Sequence, residues 1–125
     1  MIFLGDIMDC LFCKIVNGEI PSYKIYEDEM VIAFLDIHPK SNGHTLIIPK
    51  KHFTDFTELD SETLLHIHMV SKNIITLLEE KLNATGFCIN TNYLDTQEIK
   101  HFHLHIVPSS KDKIIDVEKI YDKLK

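Results

Sequence analysis

Three histidines alternate with apolar residues in the stretch HFHLHIVP near the C-terminal end of the chain. His101, His103 and His105 are spaced two apart, and the residues between them favour a β-strand that Pro108 would end. Because successive side chains of a strand point to opposite faces, the three imidazoles would share one face, with neighbouring Cα atoms about 6.6 Å apart. Such a row suits an extended ligand, or a metal ion held by two imidazoles. A solvated strand face is the plainer alternative.

Clustered imidazoles are suited to chemistry at phosphorus. A neutral imidazole is a good nucleophile, and with an ordinary pKa of about 6.5 most histidines are neutral at pH 7. A second imidazole can give a proton to the leaving group. Attack by histidine would form a nucleotidyl- or phosphoryl-imidazole that water then opens. If two of the histidines instead held a catalytic zinc ion, the protein would be a zinc hydrolase.

The sequence CLFC places Cys10 and Cys13 in a C-x-x-C motif. A redox pair expects a thioredoxin-like βαβ context, which this sequence does not show. The motif can instead supply half of a structural zinc site, for which His52 and His101 are candidate third and fourth ligands. We favour zinc, and two reduced cysteines packed under the sheet remain the alternative.

Composition limits the class of protein. The 125 residues suffice for one domain with a single core, which we expect to span residues 9–125, with residues 1–8 as a poorly ordered extension. A net charge of −6 argues against a non-specific nucleic-acid binder. The chain has no arginine, so a phosphate would have to be held by backbone N–H groups, histidine, lysine or metal. The start is too short for a membrane span and lacks the basic region of a signal peptide, and the three cysteines are an odd number, which indicates a reducing cytoplasm.

The hydrophobic pattern predicts an α+β fold. A short helix should end at Asn17-Gly18, and strands are expected in SYKIYEDE, MVIAFLDI, HTLIIP, FCINTN and KHFHLHIVP. One long helix should begin at Asp60 or Ser61 and end within residues 83–86. Apolar residues at i, i+3, i+4 and i+7 predict a C-terminal helix, namely Val117, Ile120, Tyr121 and Leu124. Short connections favour a mostly antiparallel five-stranded sheet covered by the long helix.

These stretches together resemble the histidine triad (HIT) family, whose signature is His-x-His-x-His followed by two apolar residues. In this chain the signature is formed by His101, His103, His105, Ile106 and Val107. The resemblance extends over residues 9–108 and includes CLFCKIVNGEIPSYKIYEDE and VIAFLDIHPKSNGHTLIIPKKH. The chain is most similar to the small bacterial-type members related to the nucleoside phosphoramidases. The resemblance implies the HIT-like fold and a two-fold homodimer.

The resemblance also implies catalytic roles. His103 would be the nucleophile on the α-phosphorus of a nucleotide, and His105 would contact the phosphate. His44 would complete the proton network, and His101 is the first histidine of the triad. Asp36 would bind the ribose hydroxyls.

Further residues match the family's nucleotide and metal sites. Asn90 and Gln97 would lie near the phosphate. An apolar slot for the base would be formed by Leu11, Phe12, Ile15, Phe34 and Ile37. Some members carry structural zinc on a set that corresponds to Cys10, Cys13, His52 and His101.

The implied activity is cleavage of a 5′-nucleotide joined through phosphorus to an amine, acyl or phosphate leaving group. A purine nucleotide such as an AMP conjugate would be the substrate, and no organic cofactor is implied. Hydrolysis of dinucleoside polyphosphates is an alternative within the class. A nucleotide-binding or scaffold protein with little turnover is an alternative outside it.

The loop before the triad, NYLDTQEIKH, departs from the family pattern. The family usually has a glycine next to its glutamine and a small residue after it, whereas this loop has no glycine and has Glu98 after Gln97. Glycine allows the backbone to approach a phosphate closely, and a carboxylate would repel the phosphate. We therefore expect changed phosphate affinity, leaving-group choice or turnover, unless Glu98 points into solvent.

Overall fold

A five-stranded antiparallel sheet forms the centre of the protein. The computed structural model describes residues 10–125, so the predicted extension at residues 1–8 lies outside the described residues, and a single domain over residues 9–125 stays a prediction. The strands are β1 (Lys24–Glu27), β2 (Val31–Leu35), β3 (Thr45–Pro49), β4 (Gly86–Asn90) and β5 (Leu104–Ser109). Their order is β1-β2-β3-β5-β4 and every pair is antiparallel. The predicted α+β architecture is confirmed.

The helices of the described part are α1 (Leu11–Val16), α2 (Ser61–Lys81) and α3 (Val117–Leu124), with a 3-10 turn at Leu94–Thr96. Asp60 caps α2, because its carboxylate accepts a hydrogen bond from the backbone N–H of Thr63 at 2.7 Å. Cys10 caps α1 in the same way, with its Sγ accepting from the backbone N–H of Cys13 at 3.3 Å. Within residues 10–125, no helix has the length and apolar character needed to cross a bilayer.

The sheet has an apolar cluster on each face. One face packs against α2 and α3 and includes Phe102 and Ile106. The other face packs against α1, where Phe12 and Cys13 meet Phe34 of β2. Because both faces are covered, every residue of β2 and β3 is buried. Alternation along the chain therefore directs Phe102 and Ile106 to α2, and His101 and His103 to α1, where both rings contact Phe12 edge-on.

The last strand differs from its predicted bounds. It begins at Leu104, because the backbone N–H of Phe102 donates to the carbonyl of Phe53 instead of to a neighbouring strand. It also continues through Pro108, which was expected to end it. Pro108 pairs with Phe87 of β4, whereas β3 pairs only with residues 104–106, so one side of β5 is already without a partner strand at the proline.

Candidate active site

A cavity of about 510 Å³ lies between α1 and the face of the sheet that carries the histidines. This volume is typical of a small-molecule site. Nine of the residues singled out from the sequence line it: Leu11, Phe12, Ile15, Phe34, Asp36, Ile37, His44, His103 and His105. Its apolar wall comes from α1 and β2, and its polar wall comes from the 36–44 loop and the histidine segment.

Three of the residues predicted for catalysis or nucleotide binding do not line this cavity. His101 is fully buried beside the cysteines. Gln97 is buried and donates to the backbone carbonyl of Thr54 at 2.6 Å. Asn90 donates to Cys88 Sγ at 3.4 Å. A role of Asn90 and Gln97 near a phosphate stays a prediction.

The polar wall also contains Lys40, Asn92 and Glu98. The sequence reasoning assigned no role to Lys40 or Asn92. Asn92 follows Asn90 by two residues, so strand alternation could have drawn attention to it. Lys40 lies in the HPKSNG loop, and no local pattern distinguishes it from a solvated lysine. Glu98 faces the cavity and not only solvent.

A chain of hydrogen bonds determines which nitrogen of His105 carries a proton. The backbone N–H of Lys40 donates to His44 Nδ1 at 3.1 Å, so the proton of neutral His44 must be on Nε2. His44 Nε2 is 3.0 Å from His105 Nδ1 and therefore donates to it. His105 consequently carries its own proton on Nε2. That atom is buried and has no hydrogen-bond partner among the described residues, so it is available to a ligand oxygen in the cavity.

The backbone carbonyl of His101 determines which ring nitrogen of His103 carries a proton. His103 Nδ1 lies 2.9 Å from the carbonyl oxygen of His101, which can only accept, so the proton is on Nδ1. The lone pair of neutral His103 is then on Nε2. His103 and His105 are adjacent in the cavity, with ring centroids 4.9 Å apart. The site therefore presents a nucleophilic nitrogen beside a proton donor.

Burial keeps these imidazoles uncharged at neutral pH. Burial and, to a smaller extent, the neighbouring His103 and His44 together lower the pKa of His105 to about 4. Burial also lowers the pKa of His103, against the opposing effects of its hydrogen bond to the His101 carbonyl and of the nearby acids. The pKa of His44 is lowered by burial as well, and Asp36 opposes that effect. All three rings are thus in the form that the hydrogen-bond pattern requires.

A separate cluster of ligating atoms lies behind the cavity. Atoms of Cys10, Cys13, His52 and His101 are all within 4.8 Å of one another. His101 Nε2 donates to the carbonyl of Pro49 at 2.9 Å, which leaves a lone pair on Nδ1. That Nδ1 is 3.4 Å from Cys10 Sγ and 3.2 Å from His52 Nδ1.

This cluster has the chemistry of a structural zinc site. Two sulfurs and two imidazole nitrogens form the Cys₂His₂ set that binds Zn²⁺ in a tetrahedron. Burial and, to a smaller extent, the neighbouring Cys10 together raise the pKa of Cys13 to about 12, so the thiolate needs a compensating cation. The four residues fit such an ion, and α1, which carries both cysteines, also forms part of the cavity wall.

A second group of potential metal ligands, Asp36, His44 and His105, fits a metal ion poorly. The Lys40 N–H places the His44 proton on Nε2, which is the atom that faces Asp36 and His105. A metal bound there would need that nitrogen to be unprotonated, and His44 Nδ1 would then have to face the Lys40 N–H with a proton of its own. The hydrogen-bond pattern therefore argues against a metal ion bound by these three residues, whereas a catalytic zinc ion on two histidines of the 101–105 row stays an alternative.

Comparison with known proteins agrees with this geometry. The family model described as the HIT domain matches residues 17–112. The chain belongs to the HIT family. The resemblance stated from the sequence is therefore confirmed, and HIT proteins are found among both its sequence relatives and its structural neighbours.

Three HIT proteins illustrate the range of these relatives. An uncharacterized HIT-like protein of Methanocaldococcus jannaschii is 46% identical over 101 residues, which cover 79% of this chain and 78% of that protein. The adenosine 5′-monophosphoramidase of Saccharomyces cerevisiae is 36% identical over 104 residues, which cover 83% of this chain and 65% of the yeast protein. A zinc-bound histidine triad family protein from Mycobacterium smegmatis superimposes with a TM-score of 0.85 at 38% identity, covering 94% of this chain and 91% of that structure.

Proposed function

We propose that the protein is a nucleotide hydrolase or transferase that acts at the α-phosphorus of nucleoside 5′-phosphoramidates through a covalent nucleotidyl-His103 intermediate. The observation that carries the proposal is that His103 and His105, which line one cavity, are protonated on different ring nitrogens. His103 has a free lone pair on Nε2, and His105 has an unpartnered N–H on its own Nε2. The yeast relative named as an adenosine 5′-monophosphoramidase supports the choice of substrate class.

In the proposed reaction, His103 Nε2 forms a bond to phosphorus as the bond from phosphorus to the leaving nitrogen breaks. The amine departs with a proton, for which His105 Nε2–H is the nearby donor. Water then attacks phosphorus, gives a proton to His105 Nε2 and breaks the bond to His103, which releases the 5′-nucleotide and restores both neutral imidazoles. The hydrogen bond from His44 to His105 Nδ1 directs the proton of neutral His105 to Nε2 at the start of each reaction cycle.

The rest of the cavity would hold a purine nucleotide. Phe12 and Phe34 are buried aromatic residues of the apolar wall, where a base can pack. Asp36 lines the same cavity, with its carboxylate 3.7 Å from His44 Nε2, which supports the proposal that it accepts hydrogen bonds from ribose hydroxyls. Lys40 gives the cavity one cation that could hold a further phosphate, which supports dinucleoside polyphosphates as a second candidate substrate.

We further propose a structural zinc ion at Cys10, Cys13, His52 and His101, and a cytoplasmic homodimer. The zinc proposal is supported by the zinc-bound neighbour from Mycobacterium smegmatis. The dimer proposal is supported by exposed apolar residues on α2 and on the edge strand β4, namely Leu64, Leu65, Met69 and Ile89. Sedimentation analysis of the mass in solution tests the dimer.

The deciding experiment is incubation with an adenosine 5′-phosphoramidate, a mildly basic quench, and mass spectrometry. We expect AMP release and an AMP adduct on the peptide that contains His103. His103→Ala should give neither, whereas His68→Ala, which changes an exposed histidine of α2 outside the cavity, should leave both unchanged. AMP release without an adduct, blocked by a chelator, would support a zinc hydrolase instead. Binding of AMP without any turnover would support a nucleotide-binding protein, and faster cleavage of a diadenosine polyphosphate would support the second substrate.

A further inference from the structure

The cavity contains an acidic residue beside the proposed nucleophile. Glu98 lines it together with His103, His105 and Asn92. An acid at this position is unexpected, because a phosphate group must approach the same histidines and a carboxylate repels it.

The backbone around Glu98 is anchored, so its position does not depend on a loose loop. The preceding Gln97 is buried and bonded to the Thr54 carbonyl at 2.6 Å. The following Ile99 packs against the apolar cluster on the α1 side of the sheet. At the start of the loop, Thr91 Oγ1 donates to the His103 carbonyl at 2.8 Å. The backbone of Glu98 is thus held at the rim of the cavity, where the residue is exposed.

Glu98 also lacks a cationic partner within residues 10–125, where it forms no ion pair. The basic residue nearest in sequence, Lys100, is directed to the carbonyl of Leu94 at 2.8 Å. Asp36, the other acid of the cavity, is engaged by the His38 backbone N–H at 2.8 Å. Apart from its histidines, the cavity is lined by two carboxylates and the single ammonium of Lys40, so these charged groups sum to a negative charge.

A phosphoramidate brings a further negative charge on its phosphoryl oxygens, so a substrate that is only anionic is poorly matched to this cavity. The mismatch disappears when the leaving group carries a positive charge that can lie against Glu98. We propose that Glu98 is a specificity residue that selects phosphoramidates whose leaving amine carries a second, positively charged ammonium group. This inference rests on the proposed function, since it concerns the leaving group of that reaction.

Two substrates of equal size test the inference. One is the adenosine 5′-phosphoramidate of 1,3-diaminopropane, which ends in an ammonium group. The other is that of 3-aminopropanol, which ends in a neutral hydroxyl group. The wild-type protein should prefer the ammonium compound in kcat/KM by about fivefold or more, since an ion pair worth about 1 kcal/mol gives a factor of about five. Higher ionic strength should reduce this preference.

Glu98→Gln should abolish the preference by slowing only the ammonium compound, and the neutral compound should be cleaved at least as well as before. Asp95→Asn removes an exposed charge from the same loop outside the cavity and should keep the wild-type preference. Equal kcat/KM values for the two compounds in the wild type, or a preference that survives Glu98→Gln, would overturn the inference.

The inference stays testable if the proposed function is wrong. If neither compound releases AMP, the proposed enzymatic function fails, and the role of Glu98 is then tested by the binding of the two compounds. Dissociation constants of both compounds are then measured on His103→Ala and on His103→Ala combined with Glu98→Gln. A preference for the ammonium compound that depends on Glu98 supports recognition by this carboxylate, and equal dissociation constants refute it.

Discussion

Removal of His44 should change which ring nitrogen of the neighbouring His105 carries a proton. His44 is 2% exposed and donates from Nε2 to His105 Nδ1 at 3.0 Å. In His44→Ala the His105 Nδ1 becomes a buried acceptor without a donor, which costs about 1–3 kcal/mol. His105 reduces this cost by moving its proton from Nε2 to Nδ1, because the negative charge of Asp36, whose carboxylate lies within 4.8 Å of a His105 ring nitrogen, favours a proton there. Its Nε2 then has no proton to offer to a phosphoryl oxygen or a leaving amine.

The expected loss follows from that free energy. A cost of about 1.4–2.8 kcal/mol corresponds to a fall in kcat/KM of about ten- to a hundredfold for an adenosine 5′-phosphoramidate. Nitrogen-15 NMR of the histidine rings should show the His105 proton on Nε2 in the wild type and on Nδ1 in His44→Ala. His44→Gln retains an N–H donor, so it should recover part of the lost kcat/KM and part of the Nε2-protonated form of His105.

Two controls make this result decisive. Assays are run well below the melting temperature of each variant, because removal of a buried ring also lowers stability. Lys40→Ala keeps the backbone N–H that orients His44, so its His105 should remain protonated on Nε2. If His44→Ala is folded, keeps the His105 proton on Nε2 and retains kcat/KM within about twofold, the reasoning from hydrogen-bond partners is wrong.

Three further predictions concern stability. Partial burial acts to raise the pKa of Asp28, but hydrogen bonds from two side chains and two backbone N–H groups outweigh it and hold that pKa well below 3.8. The stability that this carboxylate contributes is therefore present above pH 3.8 and is lost as the pH falls below it. In urea titrations, Asp28→Asn should lower the free energy of unfolding by about 1–3 kcal/mol at pH 7 and by less at pH 3. Gly43 has φ +89°, and an added Cβ would lie 2.7 Å from Leu82 Cδ1, so Gly43→Ala should lower the free energy of unfolding by about 2–3 kcal/mol. Gly18 has φ +79° with open space around it, so the control Gly18→Ala should lower it by only about 1 kcal/mol. If zinc occupies the Cys₂His₂ cluster, a chelator should lower the melting temperature of the wild type by several degrees, and Cys13→Ser should remove that difference; equal shifts in the two proteins would contradict the assignment.

Local patterns in the sequence determined the elements of this protein and much of its candidate site. Period-two alternation separates the imidazoles from Phe102, Leu104 and Ile106, and it does so even where the ladder has not yet begun. The Asp60 cap and the 3.6-residue spacing determined α2, because helix signals are carried by residues close in the chain. The C-x-x-C motif and the histidine signature named the cysteines and histidines that the structure brings together.

Tertiary structure decided the protonation states and the charge of the cavity. The bond from His44 to His105 spans 61 residues and that from His101 to Pro49 spans 52, so no local pattern reveals which ring nitrogen carries a proton. The same holds for Gln97, whose amide donates to a carbonyl 43 residues away, and for Glu98, which is exposed but lines the cavity. These hydrogen bonds join atoms that only folding brings within about 3 Å of one another. The protonation states of this site therefore could not be predicted from the sequence.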